Sequence, residues 1–228
     1  VRVRVSNPQS FSGKYLYTSI TYEINAANHE TTTSERGQDG QYAEIDFYRE
    51  VANFNDWLKI GQALGDNYIL VSDLDFSGKS ISSMQIGSDR DPFTGKLYGD
   101  GHTIRNISGV GSSVLSVLSG AEVKDLNFEN VELITNDSND NKAKSLEAGI
   151  FGKVLNNSTL KNIRASHVKL SDMPNHVGGL VSYLEYSTME DCRTEDVSIT
   201  TAVYGGKALS AGGLTGYGKG IKIYNCYA

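Results

Sequence analysis

The fragment His29-Glu-Thr-Thr-Thr33 begins as the zinc-protease motif His-Glu-x-x-His begins. That chemistry needs two imidazoles four residues apart on one helix face, with the glutamate as base. Thr33 stands where the second ligand belongs, and the surroundings read as a polar loop, so no zinc site is expected. Asp73-Leu-Asp-Phe-Ser-Gly78 opens like a calcium loop, with oxygen ligands at alternate positions and glycine sixth. Its twelfth position, which calls for a bidentate glutamate, is Met84, so a turn ending a strand is the better reading. The histidines (29, 102, 167 and 176) are scattered, and only His167 and His176 are candidates for proximity in space. No Gly-x-Ser-x-Gly elbow or phosphate loop occurs. No catalytic residue, metal ligand or cofactor is assigned, and the binding residues stay open.

The strongest pattern is an internal repeat. Ala121–Phe128, Ser158–Ala165, Ser187–Thr194 and Ile221–Ala228 align without gaps, with anchors Leu126, Ile163, Cys192 and Cys226 spaced by 37, 29 and 34 residues. Fourteen residues before the anchors stand Ser112, Gly149, Gly178 and Gly212, and twelve before them Val114, Phe151, Leu180 and Leu214. Three before come Val123, Leu160, Met189 and Ile223; five after come Val131, Val168 and Val197; seven after come Leu133, Leu170 and Ile199. Polar residues flank the valine column, which gives period-2 alternation at a fixed repeat length. One repeat cannot bury its apolar face alone, but stacked repeats form a continuous core.

β-Branched residues and Gly-Gly turns argue against a helical solenoid, and the lack of Asn-Gly hairpin signals argues against a propeller. The expected fold is mainly β: a right-handed parallel β-helix, with its hand taken from the crossover rule. The residue before each anchor is Asp125, Asn162, Asp191 or Asn225, and Asn106 in the shorter match His102–Ser108 is placed with them. Such a column resembles a ligand set, but an Asn/Asp turn ladder at strand bends is the reading adopted. The outer columns Asn127, Arg164, Arg193, Tyr227 and Lys124, Lys161, Glu190, Tyr224 mix charges and supply no paired carboxylates for glycan cleavage. Cys192 and Cys226 occupy equivalent core positions, where a buried thiol stack is expected rather than a disulfide, because in-register neighbours point the same way. Length variation falls at Ile134–Ala148, Ser171–Val177 and Thr200–Ala211, so the insertions, including Asn136–Lys142, emerge along one edge.

The elements that position these columns begin with a tyrosine-bearing N-terminal β-sheet module over residues 1–49: Val1–Val5, Lys14–Asn25 with Tyr15, Tyr17 and Tyr22, and Gln41–Arg49. A capping helix over 50–66 follows, with Asn53 or Asn55 as N-cap, Asp56 in its first turn and Phe54, Trp57, Ile60 and Leu64 as its apolar stripe. Trp57 is expected to plug the core. The β-helix then occupies 67–228, coiling from Tyr68–Val71, and reads as cut at its C-terminal end. A chain of 228 residues with 39% hydrophobic residues, 24 glycines and 3 prolines suits many short strands joined by glycine turns. A formal charge of -6 without a Lys/Arg cluster argues against nucleic acid, and no apolar run is long enough for membrane insertion. Val1-Arg-Val-Arg-Val5 is not a signal peptide, and the absence of an initial Met reads as a piece of a longer protein.

Val177-Gly-Gly-Leu-Val181 and Ala211-Gly-Gly-Leu-Thr-Gly216, with Ser187–Cys192 and Ile223–Ala228, resemble the GLUG repeats of bacterial surface proteins. Val117–Leu126 and the later Gly-Gly-Leu coils resemble the β-helix region of Gram-positive immunoglobulin A1-specific zinc metallopeptidases more closely. Tyr68–Asp75 and Phe93–Ile104 resemble the opening segment of such helices. The resemblance covers roughly residues 50–228. It implies an extracellular location, secreted or cell-wall-attached, and a non-catalytic role in holding an antibody substrate or spacing a separate zinc domain. The alternative is an adhesin or stalk module whose partner is a host protein, immunoglobulin A included, or a glycan.

Overall fold

The computed structural model describes residues 2–6, 33–36, 42–81, 84–134, 148–173, 176–201 and 210–228. The strand expected over Lys14–Asn25, residues 29–32 of the His29 fragment and the stretch Asn136–Lys142 lie outside the described residues, while Thr33 opens a strand where a polar loop is expected. In chain order the elements are β1 (Arg2–Ser6), β2 (Thr33–Arg36), β3 (Tyr42–Val51), α1 (Phe54–Ile60), β4 (Tyr68–Leu70), β5 (Leu74–Asp75) and β6 (Lys96–Tyr98). They continue with β7 (Thr103–Val110), β8 (Leu115–Ser119), β9 (Glu122–Ile134), β10 (Phe151–Leu155), β11 (Thr159–Met173) and β12 (His176–Gly178). The last are β13 (Val181–Glu185), β14 (Thr188–Glu190), β15 (Arg193–Thr201), β16 (Ser210–Gly212), β17 (Thr215–Lys219) and β18 (Lys222–Tyr224). The protein is thus mainly β. Among the described residues the strands form sheets of twelve, four and two strands.

β1 and β2 flank β3 in antiparallel pairs, and all the pairings that follow are parallel. β3 joins the two arrangements: its last residues Arg49–Val51 already pair in parallel with Tyr68–Leu70. An Arg49–Asp66 ion pair ties this junction to the segment after α1. The helix is shorter than the 50–66 segment assigned to it, because Val51 ends a strand and Gly61 closes the helix. Its N-cap is Asn53, whose Oδ1 accepts from the backbone N–H of Asn55 (2.9 Å) and Asp56 (3.2 Å). Trp57 is fully buried, as expected of a plug, and its indole N–H donates to the Met84 carbonyl at 2.9 Å.

The sequence columns become ladder registers. Leu160 pairs with Val123 and Met189, Met189 with Ile223, Val168 with Val131 and Val197, and Leu170 with Leu133 and Ile199. Val123, Leu126, Val131, Leu133, Leu160, Val168, Leu170 and Met189 enter one buried cluster that runs from Val51 to Cys192, with Val197, Ile199, Leu214, Ile221 and Cys226 packed against it, whereas Ile223 is exposed. Each fully buried aliphatic side chain there contributes roughly 1.5–3 kcal/mol.

Two assignments need correction. Phe151 pairs with Leu115 and Val181, not with Val114 and Leu180. The turn after β10 holds one extra residue, with Asn156 and Asn157 both left-handed (φ 57° and 63°), and a gapless alignment cannot register it. Asn106 does not stand with Asp125, because Ile107 pairs with Val131 rather than with Leu126. It belongs to a second ladder, described below.

Cys192 and Cys226 are free thiols, with the Cys192 backbone N–H donating to Cys226 Sγ at 3.3 Å. Burial pushes the Cys192 thiol up to about 12. The thiolate is the reactive form, so an alkylating reagent near neutral pH should modify the less buried Cys226 first. Cys192 should react only on unfolding; peptide mass mapping after timed alkylation reads both, and equal native-state rates would contradict the burial argument.

Candidate functional site

Two of the bends that recur along the repeats use a side-chain-bearing residue at positive φ. The first ladder is Asp125, Asn162, Asp191 and Asn225, with φ between 50° and 54°. Asn and Asp tolerate this region better than other side-chain-bearing residues because their short polar groups bond locally. Here the bonds run between repeats: Asn162 Nδ2 donates to Asp125 Oδ1 at 2.8 Å and Asn225 Nδ2 to Asp191 Oδ1 at 2.7 Å. Alternating acid and amide gives each carboxylate an amide donor from the following repeat.

The second ladder is Asn106, Asn130, His167 and Asp196, with φ between 52° and 59°. Asn130 Nδ2 donates to Asn106 Oδ1 at 3.2 Å, and Asn106 Nδ2 donates to both oxygens of Asp75, at 3.1 and 3.2 Å. At the far end His167 Nε2 stands 3.9 Å from Asp196 Oδ2, beyond hydrogen-bond reach, with both side chains exposed. The ladder floors an open groove of about 680 Å³ that is also lined by Ser77, Ser108, Glu132, Lys169 and Ser198. Lys169 Nζ pairs with Glu132 Oε1 at 2.7 Å across neighbouring strands. The groove therefore crosses five successive strand layers, and neighbouring strands lie ~4.8 Å apart. Its lining offers amide, hydroxyl, imidazole, ammonium and carboxylate groups, a set suited to hydrogen-bonding a polar chain laid along the stack.

On the other side of this ladder lies a smaller cleft of about 170 Å³, lined among others by Thr103, Asn127, Glu129, Arg164, Ser166 and Arg193. His167 and His176 acquire different neighbours. His176 meets Ser210 Oγ through Nδ1 and lies against Tyr217, whose ring stacks on Tyr183 at 4.7 Å. Ala148, Val177 and Ala211 pair where the three insertions return, so their ends are aligned along one edge.

The segment that resembled a calcium loop is a turn. Asp75 Oδ1 accepts from Ser77 Oγ (2.6 Å) and Ser77 N (2.9 Å), and Gly78 follows at φ 69°. Asp73 Oδ1 accepts from Thr103 N at 3.1 Å and faces His102 Nδ1 at 3.2 Å. These donors hold both carboxyls below the usual range: the Ser77 hydroxyl first for Asp75, and the Thr103 backbone N–H first for Asp73. A carboxyl with a depressed folded pKa adds stability above its unfolded value of about 4, lost as pH falls through the folded value. The stability difference between the wild type and Asp75→Ala should therefore be constant above about pH 5 and shrink steadily below pH 4. Urea titrations at stepped pH measure it, and a pH-independent difference would refute it.

Sequence reasoning placed Arg164 and Arg193 in one outer column and named His167 only as a candidate neighbour of His176, and it did not bring His167 and Asp196 together in a site. The available signal was a recurring left-handed-tolerant residue four after the anchor: Asn130, His167, Asp196.

No helix among the described residues is long and apolar enough to cross a membrane. No family model matches the chain, and no curated protein matches it. Among solved structures, the chain is similar to a putative immunoglobulin A1 protease from Bacteroides ovatus, with 14% identity and a TM-score of 0.34 over 77% of this chain and 84% of that one.

Proposed function

We propose that the parallel ladders are coils of a right-handed β-helix carrying GLUG-like repeats, and that the chain is a non-catalytic region of a large bacterial metallopeptidase similar to the immunoglobulin A1 proteases. In this reading the parent is secreted or attached to the cell wall, and the region positions substrate or spaces the catalytic domain. The reading is supported by in-register pairing of segments 29 to 37 residues apart, which makes a continuous stack able to hold two parts of a large protein at a fixed separation. The right hand follows from the crossover rule. The test is the complete parent protein. Its reading frame must encode a His-Glu-x-x-His domain, and deleting 67–228 must spare hydrolysis of a short hinge peptide while abolishing cleavage of intact immunoglobulin A1. A parent without such a domain overturns the proposal.

A second reading, an adhesin or stalk module that binds host protein or glycan, is favoured by one observation, the polar groove along the Asn106–Asp196 ladder. Saturable binding on a glycan array or in a host-protein pull-down, lost in the groove variant His167→Ala/Lys169→Ala, would support it over the first.

A further inference from the structure

Parallel in-register pairing places Arg164 directly beside Arg193, with Asn127 and Thr103 on one side and Tyr227 on the other. Like charges directly opposite one another on neighbouring strands are destabilising. Arg193 is compensated: its guanidinium donates to Tyr227 Oη at 2.9 Å and pairs with Glu195. The Arg164 side chain makes no ion pair or hydrogen bond with any described residue, although its guanidinium is always charged. It projects at a cleft of about 170 Å³ shared with Glu129, Ser166 and Glu195, the next outward column along the same strands. The side chains of Ser166 and Glu129 likewise make no hydrogen bond or ion pair among the described residues.

We propose that this cleft is a subsite for a singly charged, carboxylate-bearing sugar, with Arg164 taking the carboxylate and Ser166 and Glu129 taking its hydroxyls. A guanidinium presents parallel N–H donors that match both oxygens of a carboxylate, and an added negative charge between Arg164 and Arg193 relieves their mutual repulsion. The neighbouring carboxylates of Glu129 and Glu195 select against dianionic phosphate or dense sulfate, and they accept hydrogen bonds from hydroxyl groups. Outward-facing residues of the cleft offer no apolar pocket, which disfavours an acidic peptide that would need to bury side chains. Glu129–Asn130, Ser166–His167 and Glu195–Asp196 are consecutive pairs, so the cleft and the larger groove flank one ladder. A longer acidic glycan would place one charged ring beside Arg164 and its neighbouring rings along the groove. The inference is independent of whether the parent protein carries a catalytic domain.

The test is calorimetric titration of the 228-residue chain with trigalacturonate, its neutral methyl ester, 3′-sialyllactose, inorganic phosphate and a glutamate-rich peptide. Binding of either acidic saccharide is expected, at least tenfold weaker for the methyl ester and for Arg164→Gln, with Arg90→Gln unchanged as a control. Arg164→Gln should melt at or above the wild-type temperature, since it removes a like-charge contact, so lost affinity cannot be lost folding. Failure of both acidic saccharides to bind, equal binding by Arg164→Gln, or equal or tighter binding of phosphate or the peptide would each overturn the proposal.

Discussion

Trp57→Ala should lower the unfolding free energy by about 3–5 kcal/mol, the range for deleting a large buried aromatic side chain. Trp57 is fully buried and meets the Phe76 ring edge-on at 5.6 Å, with Phe76 also meeting Phe54 at 5.2 Å. Truncation removes these contacts and also leaves the Met84 carbonyl without its donor, a separate cost of about 1–3 kcal/mol when no water replaces it. Trp57→Phe keeps a six-membered ring in the core and loses the N–H together with the five-membered ring. It should fall between the wild type and Trp57→Ala. Because Trp57 is the sole tryptophan, denaturant unfolding must be followed by circular dichroism rather than by intrinsic fluorescence. A Trp57→Ala loss below about 1 kcal/mol would mean that the indole does not fill the core at the α1 end.

The columns through Leu160, Val168 and Leu170 were legible because a parallel, in-register ladder puts residues of equal repeat position on top of one another. The sequence then carries the register directly. Phe151 was misplaced by one because the extra residue in the Asn156–Asn157 turn leaves both flanking strands intact and shows no change in alternation. Asn106 was misplaced for a related reason. Both ladder bends use a left-handed residue followed by an apolar one, so Asn106-Ile107 fits the Asp125-Leu126 bend as well as the Asn130-Val131 bend. Only pairing across strands decides between them.

The candidate site was less legible than the core. Its groove draws two or three residues from each of several segments, and the types along its ladder differ: Asn, Asn, His, Asp. What unites them is backbone conformation, not side-chain chemistry, and the sequence expresses that only as a tolerance for positive φ. The Arg164–Arg193 pair was visible as a column, but its lack of balance was not. Deciding which arginine lacks a carboxylate required the positions of Glu195 and Tyr227.

Gly178→Ala should destabilise the protein by about 3 kcal/mol, at the upper end of ordinary overpacking costs. After Gly178 the chain turns within three residues to enter β13, and a Cβ at Gly178 would lie 1.8 Å from the Val181 carbonyl oxygen and 2.8 Å from the Gly216 nitrogen. Both obstacles are backbone atoms committed to neighbouring strands, so the turn itself must open. The equivalent Cβ at Gly212 would lie 2.2 Å from the Thr215 oxygen, and at Gly149 2.7 Å from the Gly178 oxygen, which explains the recurring glycine as a steric requirement. Gly61→Ala provides the control with the opposite sign. Gly61 is right-handed helical (φ -63°) and its nearest Cβ contact would be an ordinary 3.5 Å, so alanine there should stabilise by about 0.4–1 kcal/mol through the unfolded chain. Urea midpoints of the two variants should therefore move in opposite directions. Equal shifts would show that Gly178 is kept for chain flexibility and not for the close approach. A downward shift confined to Gly178→Ala would place the cost in the turn, where each Gly-Gly-Leu segment leads the chain back into the stack.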